Sequence, residues 1–171
     1  RDDTWTIESL ALVGEDAAST VDAYVLYPAS HHAATPEEIE RACDDIEIEL
    51  VQELERHLAA GRWREAERLR RRVADDVAML RAEGWCAGAE NYARHLSGRA
   101  EHEAPATLID YFPDDDWLLV VDEAHVAVPQ LRGMHAGDRS RKSSLVENGF
   151  RLKSALDNRP LTATEFWARV P

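Results

Sequence analysis

The sequence predicts an α/β fold: a small α+β unit with a long antiparallel helical hairpin, then part of a domain built on a parallel sheet. Three observations predict it. Residues 36–83 carry two apolar stripes at helical spacing, joined by a short link containing Gly61. Residues 4–13 and 21–27 are short runs rich in β-branched and aromatic residues. Residues 117–121, WLLVV, form the unbroken apolar run expected of a strand buried on both faces.

Each element has a local reason. TWTIESLALV (4–13) and VDAYVLY (21–27) read as strands, with GEDAAST between them as a turn. Thr35-Pro36-Glu37-Glu38 supplies a capping hydroxyl, a proline at the first helical position and a glutamate at the third. The first stripe is Ile39, Cys43, Ile46, Leu50, Leu54 and Leu58, ended by Gly61. The second is Ala66, Leu69, Val73, Val77 and Leu80, stopping at Gly84. The short link makes the two helices antiparallel, each arm ~33 Å long at 1.5 Å per residue. Arg68, Arg70, Arg71 and Arg72 lie on the second arm. Glu67, Asp75 and Asp76 stand four residues from Arg71, Arg71 and Arg72, the spacing of exposed ion pairs; a surface for a partner protein is the other reading.

SGRAEHEAPA (97–106) reads as a polar loop, TLIDYF (107–112) as a short strand or extended lead-in, and PDDD (113–116) as a turn. After the apolar run the chain turns helical around 138–148. Residues 154–160 form a loop, and TATEFWARV starts a last short helix capped at Thr162 or Thr164.

Composition narrows the class. With 44% hydrophobic and 31% charged residues in 171, the chain has enough apolar content to fold. No apolar run approaches the ~20 residues of a membrane span, and the start lacks the layout of a signal peptide. Cys43 and Cys86 are far apart, which suits a reducing, cytoplasmic setting and argues against a disulfide scaffold or zinc ribbon. The net charge of −13 disfavours nucleic acid at first sight, yet residues 126–171 hold eight Lys/Arg against four Asp/Glu.

The chemistry sits at LLVVDEAH (118–125). A strand ending in two acids can place Asp122 to hold Mg²⁺ against nucleotide phosphates, and Glu123 to orient or deprotonate a water. His125 could couple that site to a neighbouring element. The competing reading is that the acids cap the following helix. The partner motif, GxxxxGK[ST], is absent from this chain. Lys142-Ser143 would need glycines at 136 and 141, where Ala136 and Arg141 stand. ATP hydrolysis by this chain alone is therefore not expected. Downstream, Arg132, Arg139, Arg141 and Lys142 could approach DNA phosphates or form a charged helix surface. His31-His32 lack a third ligand at metal spacing. Cys86 and His95 could form a nucleophile pair only if the fold brought them together.

Several motifs in one order carry a resemblance. YPASHHAATPEEIERA and GRWREAERL are followed by GWCAGAENYARHLSGR (84–99), TLIDYFPDD (107–115), LLVVDEAHVAVPQLRGM (118–134) and GDRSRKSSLVENGFRLKSALDNRPL (137–161). The series resembles the UvrB family of bacterial nucleotide excision repair over roughly residues 24–171. The resemblance implies an incomplete P-loop NTPase (helicase-like) domain over 84–171, preceded by a UvrA-binding inserted domain over 1–83. It implies Asp122, Glu123 and His125 as the site of Mg²⁺ and ATP. It also implies UvrA, DNA and UvrC as partners, and a central fragment or divergent truncated homologue. The sequence departs from the family pattern at Ala93 and Ala124 (usually Ser), at His135-Ala136 (usually Tyr-Asn) and at Lys153 (usually Pro).

Overall fold

A computed structural model describes residues 11–13, 18–20, 34–113 and 116–171 of the chain. It divides into two compact units, Arg1–Ala33 and Ala34–Pro171. The boundary expected at 83/84 falls inside the second unit.

In the first unit, β1 (Ala11–Val13) pairs antiparallel with β2 (Ala18–Thr20), in the register Ala11 to Thr20, Leu12 to Ser19 and Val13 to Ala18. The second strand thus falls in the stretch read as a turn. Residues 4–10 and the expected strand 21–27 lie outside the described residues.

The second unit is helical. Helix α1 (Pro36–Ala59) begins as the sequence dictates. Thr35 Oγ1 accepts the Glu38 N–H at 3.3 Å, and Glu38 Oε2 accepts the Thr35 N–H at 2.7 Å, so two orphan donors of the first turn are satisfied. After Gly61, at φ 71°, α2 (Trp63–Glu83) runs back along α1 and ends at Gly84, also left-handed at φ 73°. Arg81, in the last turn of α2, donates to Glu40, Asp44 and Glu47 of α1 at 2.8–3.2 Å, which fixes the pair as antiparallel.

The hairpin does not close its core alone. Ala42, Cys43 and Ile46 of α1 and Leu69, Val73, Val77 and Leu80 of α2 are buried together with Cys86, Tyr92, Leu96 and Leu152. Cys86, Tyr92 and Leu96 come from a 3₁₀ turn at Ala89–Tyr92, the short α3 (Ala93–Leu96) and the segment before them, and Leu152 precedes a later 3₁₀ turn at Lys153–Asp157. A piece ending at residue 83 would expose this face. The α2 stripe is buried as expected, but α1 departs from its pattern. Beyond Ile46 its buried positions are Glu49, Glu53 and His57, while Leu58 is exposed. The buried face rotates onto polar residues because the elements packed there bring charges.

After a 3₁₀ turn at Leu108–Tyr111, where a strand or lead-in was expected, the chain reaches WLLVV. The expected α/β fold fails here. Residues 117–121 form no strand, and Leu118 and Val120 are 82% and 77% exposed. A strand takes its hydrogen bonds from neighbours, and no segment among the described residues pairs with this run. The helical unit therefore contains no parallel sheet and no helicase-like α/β core among its described residues.

Helix α4 (Ala124–Glu147) starts well before the expected 138 and continues through Pro129. Its only buried side chains are Lys142 and Val146. It ends in a turn where Gly149, at φ 68°, lies against the backbone of Glu65. A 3₁₀ turn at Lys153–Asp157 follows, and α5 (Ala163–Arg169) is capped by Thr162 with Glu165. Arg159 donates to both Glu165 oxygens at 2.7 and 2.8 Å and pulls that carboxyl down to about 2.

Gly149 carries a clear test. A Cβ there would stand 2.8 Å from Glu65 Cα, and an L side chain at this φ is strained. Gly149→Ala should cost about 2 kcal/mol or more in urea denaturation of the whole chain; an unchanged midpoint would show that the turn after α4 does not lie against Glu65 as described.

Candidate functional site

The DEAH stretch sits at the entry to α4 rather than at a strand end. Glu123 is the N-cap residue, left-handed at φ 48°. Asp122 Oδ1 accepts the Glu123 N–H at 2.8 Å, and His125 Nδ1 lies 3.3 Å from Glu123 Oε2. The side chains of Glu123 and His125 are 71% and 77% exposed. The two carboxylates offer the hard oxygen donors Mg²⁺ takes. No group of three or more His, Cys, Asp or Glu among the described residues could hold a metal. Asp122 and Glu123 are therefore two oxygen donors on an exposed turn, with no third such ligand grouped with them among the described residues.

The four basic candidates separate. Arg132 and Arg139 are exposed and pair with no carboxylate among the described residues. Arg141 donates to Asp138 Oδ1 at 3.0 Å. Lys142 is buried, 2.8 Å from Asp138 Oδ2, and also donates to the Asn158 carbonyl. Burial acts to raise the Asp138 carboxyl, but bonds from Lys142 and Arg141 hold it below its usual range. Lys142 therefore ties α4 to the segment after the 3₁₀ turn. In the same way the Cys86–His95 pair is not assembled. Burial pushes the Cys86 thiol up to about 11, and His95 is bonded to Glu49. His31 and His32 lie outside the described residues. On α2, Glu67 takes Arg70 at 2.9 Å and Arg71 at 3.0 Å, and Asp76 takes Arg72 at 2.8 Å.

The most organised group of charges lies elsewhere. Arg94 of α3 donates through Nη1 to Asp157 Oδ2 at 3.0 Å and through Nη2 to Glu49 Oε2 at 3.2 Å. His95 Nε2 lies 2.6 Å from the same Glu49 oxygen, and Glu49 Oε1 accepts the Ser154 N–H at 2.7 Å. Asp157 Oδ1 accepts the His102 N–H at 3.3 Å. Side chains of Glu49, Arg94, His95 and Asp157 are each 14% exposed or less. Burial alone would raise the Glu49 carboxyl, but hydrogen bonds from His95 and Ser154 outweigh it and hold the carboxyl below its ordinary value.

This centre accounts for two motifs that sequence reasoning quoted without assigning. In ENYARH, Asn91 holds the Gly88 carbonyl at 2.7 Å, Tyr92 donates to Asp76 Oδ2 at 2.7 Å, and Arg94 and His95 grip Glu49. Asp157 and the Ser154 N–H belong to SALDNRP. Glu49 was visible only as a glutamate at the border of the α1 stripe. Its acid and base groups are bonded to one another, and the arrangement joins α1, α3 and the later 3₁₀ turn. Lys153, at the place where the family pattern has proline, donates to Glu101 at 2.7 Å.

Comparison with known proteins points one way. Residues 37–98 match the family described as the UvrB third helical domain. The chain is 52% identical over 167 residues to the UvrABC system protein B of a Synechococcus species, covering 96% of this chain and 24% of that protein. It is 53% identical over 151 residues to the Leptospira biflexa protein of the same name, covering 88% and 23%. For the Gloeothece citriformis protein the figures are 47% over 169 residues, 99% and 25%. The chain thus spans about a quarter of the length of these relatives. No helix among the described residues is long and apolar enough to cross a membrane.

A depressed carboxylate stabilises the fold above its unfolded pKa of about 4.3 and stops doing so as pH falls through the folded value. Glu49→Gln should therefore flatten the loss of stability below about pH 4.3, while Glu165, Arg159-bound, keeps its own share. An acid limb identical in the parent and the variant, followed by circular dichroism, would mean that Glu49 is not held as described.

Proposed function

Because the chain belongs to the UvrB family over the segment it spans, we propose that it is part of a nucleotide excision repair protein. With UvrA, that protein would verify DNA damage in an ATP-dependent way and present the site to UvrC, in the cytoplasm. The observation that carries this reading is the match of residues 37–98, the stretch that the Arg94 centre ties into one packed body.

The residues suggest a division of labour. Asp122 and Glu123 would hold Mg²⁺ and ready a water beside ATP whose phosphates are cradled by residues outside this chain. His125, within reach of Glu123, would link that site to a neighbouring element. Arg132 and Arg139, the two basic candidates left without a carboxylate partner among the described residues, would meet DNA phosphates. Arg141 and Lys142 are committed to Asp138 and would do so less. UvrA would meet the amino-terminal part of the chain, residues 1–83.

A second reading has its own support. DEAH lies on an exposed turn, and the chain has no phosphate loop, so these residues alone would work as a docking module without turnover.

Both readings meet in one experiment. The chain alone, with Mg²⁺ and ATP, should show no hydrolysis. In a full-length protein carrying this segment, Glu123→Gln should lower ATP turnover about a hundredfold or more with nucleotide binding retained. Full turnover by that variant would leave only the docking reading, and turnover by the isolated chain would overturn the account of the missing phosphate cradle.

A further inference from the structure

Helix α2 has a second surface that neither the nucleotide reading nor the Arg94 centre uses. Trp63, Arg64, Glu67, Arg68, Arg71, Arg72 and Asp75 line a shallow groove of about 610 Å³. The spacing of 64, 68, 71 and 75 puts these residues on one face of the helix, away from the buried stripe of Leu69, Val73 and Leu80. Trp63 is 68% exposed, in the first turn. An indole of that size left in water at the mouth of a groove is an anchor without an occupant.

The charges say what kind of occupant fits. Four guanidiniums face two carboxylates in the lining. Arg71 is matched by Glu67, and Arg72 by Asp76. Arg68 is spent on neutral groups, the Asn148 carbonyl at 2.6 Å and the Phe150 ring at 4.3 Å. Arg64 meets no carboxylate among the described residues. Arg64 and Arg68 therefore have no carboxylate partner among the described residues, with Asp75 as the other acid of the lining, beside an exposed indole on a chain of net charge −13. Such a spot attracts a short acidic stretch, and the acidic remainder of the molecule repels a long polyanion.

We infer that this groove docks an acidic segment of a partner protein, one that places carboxylates on Arg64 and Arg68 and an apolar side chain over Trp63. Arginine grips carboxylate through two parallel hydrogen bonds, and tryptophan and arginine dominate the energetics of protein interfaces. A nucleic-acid strand fits less well. Glu67 and Asp75 stand in the line its phosphates would follow, and only two charges are free to replace counterions. The groove lies within residues 1–83, the part proposed above to meet UvrA, so the inference rests on that docking reading and not on the nucleotide site.

The test uses the whole chain and three labelled probes in fluorescence anisotropy: a glutamate-rich peptide with one central leucine, the same peptide with lysine for glutamate, and oligothymidylate. The acidic peptide should bind, more weakly as salt rises, and the lysine peptide should not. Trp63→Ala and Arg64→Glu should each weaken binding about tenfold, and Gln130→Glu, at an exposed position outside the groove, should leave it unchanged. Both altered groove residues are exposed, and an unchanged circular dichroism spectrum shows that the fold is kept. No binding of the acidic peptide, binding by the two groove variants as tight as that of the parent chain, or binding of oligothymidylate in its place would each overturn the inference.

Discussion

One guanidinium, that of Arg94, holds the helical unit together. It is shared between Glu49 of α1 and Asp157 of the 3₁₀ turn that follows α4, at 3.2 and 3.0 Å. Three segments far apart in sequence meet at that point. Buried charges are costly unless geometry and hydrogen bonding are both good, and here each partner is further satisfied. Glu49 takes His95 and the Ser154 N–H, and Asp157 takes the His102 N–H. The second half of α1 follows from this. Its buried face carries Glu49, Glu53 and His57 where an amphipathic helix would place leucines. His57 is fully buried, and its imidazole is kept below its usual pKa by burial and by the neighbouring Arg56 and Arg62.

What this anchoring leaves free is as informative. The amino-terminal two-thirds of α4 carries no buried residue, and it begins with the acids of DEAH. Val126 and Met134 are exposed on it, as Leu118 and Val120 are before it. A packed helical body with a sparsely packed arm and a charged groove on another helix is suited to working by contact. The proposed repair role places the nucleotide acids on that arm and leaves the body to hold partners.

The hairpin was legible in the sequence because its causes are local. A capping box, glycine stops and a five-residue stripe on α2 act within a few turns of chain. The long-range features were not legible. WLLVV has the composition of a buried strand, but a strand is made by its neighbours, and none of the described residues pairs with it. Lys142 looked like a phosphate ligand beside Arg141. Only the fold shows that Asp138, four residues back, and the Asn158 carbonyl take its charge. The Arg94 centre joins residues 45 and 63 positions apart, and no periodicity reports such a pairing. Its trace in the sequence was the motif pair ENYARH and SALDNRP, a resemblance waiting for a physical reason.

The central claim is that Arg94 and Asp157 stabilise the fold through each other. A double-mutant cycle on the whole chain, with Arg94→Met, Asp157→Asn and the pair, measures that coupling by urea denaturation. The account predicts that the double variant is less destabilised than the sum of the singles by more than about 1.5 kcal/mol. Additive effects would contradict it, and would place the stability of the unit in the apolar face of the hairpin alone.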